Sequence, residues 1–105
     1  MEKITKRSLD KIGSIIEIMM QLLNCDYTTA YRIIKDTTTY KAIVEGDRAT
    51  LYQSAACCVE DIGREWSLKN KDTAYANYFS NRNINIAIDK AREHNQKLLS
   101  RYKVI

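Results

Sequence analysis

The residues best suited to chemistry in this chain are its three cysteines, its single histidine and a group of carboxylates. Cys57 and Cys58 are adjacent and Cys25 stands alone, whereas a structural zinc site needs about four ligands at set spacings. The cysteines therefore predict no metal site. On the helix that carries the pair, we expect Cys58 to lie on the apolar stripe as a small hydrophobic residue and Cys57 to face solvent as a free thiol.

Acid–base or nucleophilic catalysis requires a base within hydrogen-bond reach of a nucleophile. The only histidine, His94, is predicted to lie at the border of the basic face of the last helix. Glu60 and Asp61 point about 100° apart on a helix, and Arg64 and Lys69 are placed to pair with such carboxylates. The three glycines are isolated, so they form no phosphate-binding loop. The chain is therefore predicted not to be an enzyme, and no cofactor is expected.

Basic residues concentrate at the two ends of the sequence. The formal net charge is +4, and residues 82–105 alone carry six basic and two acidic side chains. The basic residues of the last helix that could contact a nucleic acid or a partner are Lys90, Lys97, Arg101 and Arg92. Such residues could neutralise phosphates in a salt-dependent, sequence-independent way. The alternative is an ordinary solvated face, which the interspersed Asp89 and Glu93 favour.

A helix-turn-helix is the other nucleic-acid motif that the sequence suggests, in residues 26–45. That motif usually has a glycine in its turn and polar or basic side chains on its second helix. Here the predicted turn, Asp36 to Thr38, has no glycine, and the second helix offers only Lys41 as a base. The pattern therefore gives little support to sequence-specific DNA recognition.

The apolar pattern predicts the helices that must position these residues. A chain of 105 residues without proline and with 45% hydrophobic residues is typical of one helical domain, and we assign residues 1–105 to it. From Leu9 to Leu23, apolar side chains cover an arc of about 200° of helix surface. This segment, with Ile16 near the middle of its arc, is predicted to be the central helix of an all-α bundle.

About five helices are expected in this bundle, in addition to one short helical segment. Ser8 and Asp47 are the expected N-caps of the first and fourth helices, and Gly46 is a natural stop. Tyr27 and Tyr31 are expected to be buried by the second helix. The predicted ranges are 8–24, 27–35, 39–45, 48–68, 73–80 (the short segment) and 84–103.

No segment predicts insertion into a membrane. A spanning helix needs about 20 apolar residues, and the apolar run 12–23 is shorter and is interrupted by polar side chains. It also lacks the small-residue cleavage site of a signal peptide. We therefore expect a soluble protein in the cytoplasm.

The middle of the chain contains Thr39-Tyr40-Lys41, then Leu51-Tyr52-Gln53-Ser54, then an acidic helix that ends in Glu65-Trp66. Over about residues 30–66, this resembles small uncharacterised bacterial helical proteins found near toxin–antitoxin-like gene clusters. Where those proteins tend to have an aromatic residue after the serine, this chain has Ala55. The resemblance implies a bacterial or mobile-element origin and a protein partner, and it carries over no catalytic residue.

Interaction is the function that the remaining features favour. Seven tyrosines in 105 residues exceed what one core readily hides, and tyrosine is enriched in protein interfaces. The leading prediction is a protein-interaction module, acting as a regulator or antitoxin-like neutraliser of a partner of bacterial or phage origin. The alternative is a nucleic-acid-binding module that uses the basic residues of the last helix.

A homodimer through the last helix is a further hypothesis. Asn95 lies at the centre of the apolar stripe of that helix, and Ile86 lies on the opposite, polar side. A polar residue on a packed seam can fix oligomeric state, so Asn95 and Ile86 are the candidate interface residues. The competing interpretation is a monomer in which Asn95 bonds to a loop carbonyl or to water.

Overall fold

The computed structural model describes residues 5–70 and 79–102, with side chains for all of these except Asn70, Asn81 and residues 95–102. This part of the chain contains six α-helices, and the predicted all-α class is confirmed. They are α1 (Lys6–Leu23), α2 (Tyr27–Lys35), α3 (Thr38–Val44), α4 (Arg48–Tyr52), α5 (Ala55–Asn70) and α6 (Asn81–Tyr102). The predicted short helix 73–80 lies outside the described residues except for Phe79 and Ser80, which form the turn before α6.

Helix α1 is the central helix, as its wide apolar arc predicts. It packs against each of the other five described helices and most extensively against α6. Ile15, Ile16 and Met19 are at most 2% exposed. Leu9 departs from the prediction because it is 53% exposed. It lines an open groove between α1 and α6.

The N-cap of α1 lies three residues before the predicted one, Ser8. The hydroxyl oxygen of Thr5 accepts the backbone N–H of Ser8 at 3.2 Å, so Thr5 is the N-cap. Ser8 is fully buried inside the first turns, and its hydroxyl donates a 2.7 Å hydrogen bond to the backbone carbonyl of Ile43. The residue predicted to cap α1 therefore links it to α3.

Asp26 and Asp47 are N-caps of α2 and α4, because each carboxylate accepts the backbone N–H three residues later. Two chain reversals depend on left-handed backbone. Asn24 ends α1 at φ 51°, and Gly46, the predicted stop, follows α3 at φ 78°. Glycine adopts that conformation without steric cost.

The predicted helix 48–68 is two helices. Gln53 has an extended backbone, with φ −66° and ψ 148°, and it ends α4. The hydroxyl oxygen of Ser54 then accepts the N–H of Cys57 at 3.2 Å and starts α5. Lys11 donates to the carbonyl oxygen of Gln53 at 2.6 Å, which holds the break against α1. The apolar periodicity continues across the break, so the sequence pattern predicts one continuous helix.

Close packing between α5 and the turn before α6 requires a glycine. A Cβ atom on Gly63 would overlap the ring of Phe79, which is itself buried. None of the described helices combines the length and the hydropathy that crossing a bilayer requires.

Candidate partner-binding site

Three neighbouring aromatic side chains on α2 and α3 form what we call the tyrosine surface (Tyr27, Tyr31 and Tyr40). Tyr27 is 58% exposed and Tyr31 is 36% exposed, so the prediction that α2 buries both is wrong. Only Ala30 and Ile34 of this nine-residue helix are buried. Because Tyr27 and Tyr31 are four residues apart, they share one face of α2. This face lies beside the buried residues Ala30 and Ile34 and is open to solvent.

The three rings of the tyrosine surface contact one another, and these contacts hold them in place. Tyr27 and Tyr31 stack with ring centroids 6.4 Å apart and planes within 5°. Tyr31 meets Tyr40 edge to face at 6.0 Å, and their hydroxyl oxygens lie 3.2 Å apart and share a hydrogen bond. That hydrogen bond, with partial burial, raises the pKa of Tyr40. Side chains already held in place lose less conformational entropy when a partner binds.

Helix α5 holds the junction between α2 and α3, on which the tyrosine surface depends. The carboxylate of Glu65 accepts the backbone N–H of Thr38 at 2.8 Å and its hydroxyl at 3.1 Å. Lys69 donates to the backbone carbonyl of Asp36 at 3.0 Å. Lys69 was expected to pair with carboxylates of its own helix, and it instead binds the end of α2. Sequence periodicity contains no signal for such contacts between helices.

The predicted helix-turn-helix corresponds to α2 and α3, joined by Asp36 and Thr37. A recognition helix approaches DNA with its N-terminal residues. Here the N-terminus of α3 already binds the carboxylate of Glu65. A negative charge at that position opposes the approach of a phosphate, so the geometry does not favour DNA recognition by α3.

The candidate basic residues of α6 are only partly described. Lys90 and Arg92 are exposed, and so are Asp89 and Glu93, which flank them in the sequence. Lys90 and Arg92 lie about 160° apart around the helix, so the two described cations do not share a face. The side chains of Lys97, Arg101 and Asn95 lie outside the described residues, and Ile86 is 45% exposed.

The chemistry-bearing residues are dispersed in the described part of the chain. Cys57 is exposed and Cys58 is buried, as predicted, and Cys25 is half-buried. Burial raises the pKa of both Cys58 and Cys25. Arg64 pairs with Asp61 at 3.6 Å within α5. No three described His, Cys, Asp or Glu side chains come close enough together to hold a metal ion.

Comparison of the chain with protein-family models, with curated proteins and with solved structures finds no match. The resemblance over residues 30–66 therefore stays a prediction. The tyrosine surface is the feature of the described residues that most resembles a binding site, because it combines exposed aromatic area with an ordered arrangement of side chains.

Proposed function

We propose that this protein is a helical protein-interaction module that binds its partner through the tyrosine surface. The observation that carries the proposal is the exposure of Tyr27 and Tyr31 as a stacked pair, ordered by the contact of Tyr31 with Tyr40. Tyrosine is among the residues that contribute most to binding when a partner buries it. A ring pair left in water contributes little to the stability of the free monomer, whereas it supplies contact area and hydroxyl groups to a partner.

The cellular role that we propose is that of a small cytoplasmic regulator or antitoxin-like neutraliser from a bacterium, a phage or another mobile element. The support for this role is the resemblance over residues 30–66, a segment that includes Tyr31, Tyr40 and the supporting Glu65.

The test compares a double variant, Tyr27→Ser with Tyr31→Ser, with the single variant Tyr52→Ser. Tyr52 is a matched control because it is 74% exposed and lies on α4, against the guanidinium of Arg7. Each tagged protein is expressed at native level in its source cells and cross-linked, and its bound proteins are identified by mass spectrometry. A partner should be recovered with the wild type and with Tyr52→Ser and be lost with the double variant.

Direct binding then decides the proposal. With the purified partner, calorimetry should show a dissociation constant raised more than tenfold in the double variant, since truncating a central aromatic costs about 2 kcal/mol or more and about 1.4 kcal/mol is tenfold. Equal affinity of the double variant and the wild type would refute the role of the tyrosine surface. Unchanged circular dichroism of both variants shows that the fold is intact.

The alternative function is nucleic-acid binding through α6. It is favoured by the excess of basic residues over 82–105 and by the exposure of Lys90 and Arg92. Gel shifts with random duplex DNA at two salt concentrations test it. Phosphate binding should weaken steeply with salt and should weaken further in the variant Lys90→Gln with Arg92→Gln. If the protein produces no gel shift at low salt, this alternative is refuted.

A further inference from the structure

A second surface lies between α1 and α6, where the two helices leave an open groove of about 640 Å³. Its apolar part includes Leu9 and Ile88, and Leu9 is 53% exposed. Gly13 lies beside them, and a Cβ atom placed on it would meet no atom within 4 Å. The backbone of α1 is therefore accessible at this point to another chain.

The two sides of this groove carry opposite charges. Asp10 and Glu17 lie on α1, about two helical turns apart, and Arg92 lies on α6. Among the side chains that the structure describes, Arg92 forms no ion pair with either carboxylate, although all three line the same groove. Unpaired charges beside exposed apolar surface are available to a partner that presents the reverse arrangement.

We propose that the partner in this groove is a second copy of the same chain, in a homodimer with twofold symmetry. In such a dimer each contact occurs twice, with the two copies exchanging roles. Asp10 and Glu17 of each copy then face Arg92 of the other, while Leu9 and Ile88 are removed from water. A partner of one charge sign would match only one side of the groove, whereas a second copy matches both sides.

The dimer predicted from the sequence had Asn95 and Ile86 as its interface residues, whereas this one is built on Asp10, Glu17 and Arg92. Ile86 lies about 160° around α6 from Ile88, so it is outside the groove. The proposal rests on Asp10, Glu17 and Arg92, and it is independent of the tyrosine surface. A failure of either proposal leaves the other standing.

The first experiment measures self-association of the full chain by sedimentation equilibrium, at concentrations up to about 1 mM because small, partly polar contacts are typical of transient complexes. The wild type should dimerise, and the dissociation constant should rise with salt. Arg92→Glu should raise that constant at least tenfold. Lys90→Glu is the matched control, since it makes the same charge change on the same helix about 160° away from Arg92, and it should leave the constant within about twofold.

The second experiment mixes two variants that should each be monomeric alone. In Arg92→Glu both sides of the groove are negative, and in the variant Asp10→Lys with Glu17→Lys both sides are positive. Mixed together, they should form a heterodimer with an affinity close to that of the wild-type dimer, because every contact again joins opposite charges. Recovery of association in the mixture also shows that both variants are folded.

Three outcomes would overturn the proposal. The wild type could remain monomeric over the whole concentration range. Arg92→Glu and Lys90→Glu could have the same effect, which would show a response to net charge alone. The two opposite variants could also fail to associate when mixed, although the wild type dimerises, which would place the dimer contact on another surface.

Discussion

The hydroxyl of Ser8 donates a 2.7 Å hydrogen bond to the backbone carbonyl of Ile43, across 35 residues of sequence. The same carbonyl also accepts the backbone N–H of Gly46 at 3.0 Å. The Ser8 hydroxyl also accepts a hydrogen bond from the hydroxyl of Thr5 at 3.0 Å. Ser8→Ala therefore removes two hydrogen bonds without leaving the carbonyl unpaired, and it should lower the free energy of unfolding by about 1 to 2 kcal/mol. Urea denaturation measures this loss. Ser14→Ala, at an exposed position of the same helix, is the control and should change stability by less than about 0.5 kcal/mol.

Ile16→Ala tests the central position of α1. Ile16 is 2% exposed, and its truncation leaves a cavity, so the expected cost is about 2 to 5 kcal/mol. Leu9→Ala removes a similar side chain from an exposed site and should cost much less. Denaturant midpoints of the two variants provide the comparison. Equal losses would show that α1 is not buried as described.

The two glycines inside long helices should respond oppositely to alanine. A Cβ atom on Gly13 meets open space, so Gly13→Ala should raise the free energy of unfolding by about 0.5 to 1 kcal/mol through helix propensity. A Cβ atom on Gly63 overlaps the ring of Phe79, so Gly63→Ala should lower it by about 1 to 3 kcal/mol. Thermal melting distinguishes the two signs. Stabilisation by both substitutions would contradict the packing of Phe79 on α5.

The three thiols should react with iodoacetamide in a fixed order. Cys57 is exposed and should be labelled first, and Cys25, half-buried with a raised pKa, should follow more slowly. Cys58 is buried and its pKa is raised, so it should be labelled only after unfolding. Peptide mass spectrometry over time measures the three rates. Equal rates for Cys57 and Cys58 would overturn the orientation of α5.

Acid should weaken the caps of α2 and α4. Hydrogen bonds from Thr29 lower the pKa of Asp26, and those from Thr50 lower the pKa of Asp47, from an ordinary value of 3.8. A carboxylate with a lowered pKa stabilises the fold above its unfolded pKa, and this stability is lost as pH falls through the folded value. Stability contributed by the caps should therefore be complete at neutral pH and decline below about pH 4.

Two double variants test this acid dependence by denaturation at several pH values. Asn at positions 26 and 47 keeps a capping acceptor and does not titrate, so this variant should show a shallower loss of stability in acid. Ala at both positions removes the caps and should be less stable than the wild type at neutral pH. An unchanged acid profile in the Asn variant would contradict the role of these carboxylates.

Sequence patterns predicted those features that depend on neighbours along the chain. The burial of Ile16 follows from the width of an apolar arc, and the cap at Asp47 follows from a short acceptor placed before a helical segment. The contrast between Cys57 and Cys58 follows from helical phase, because the break at Gln53 does not change the face on which each cysteine lies.

The features that were missed depend on contacts between distant segments. Ser8 is a residue type that often caps helices, but Thr5 is the N-cap of α1. The hydroxyl of Ser8 donates to the carbonyl of Ile43. Tyr31 has the spacing of a core residue, but the small contact made by α2 leaves it partly exposed. The number of tyrosines favoured an interaction surface, but helical spacing placed Tyr27 and Tyr31 in the core and so did not predict where that surface lies.

The packing of α1 against α6 has a consequence for synthesis on the ribosome. These helices form the most extensive pairing in the described fold, yet Leu23 and Asn81 are separated by a long stretch of chain. At about 5 to 20 residues per second, α6 emerges about 3 to 12 s after α1. During that interval the wide apolar arc of α1 lacks its principal partner. We expect ribosome-associated chaperones to bind α1 on the growing chain and to release it when α6 arrives.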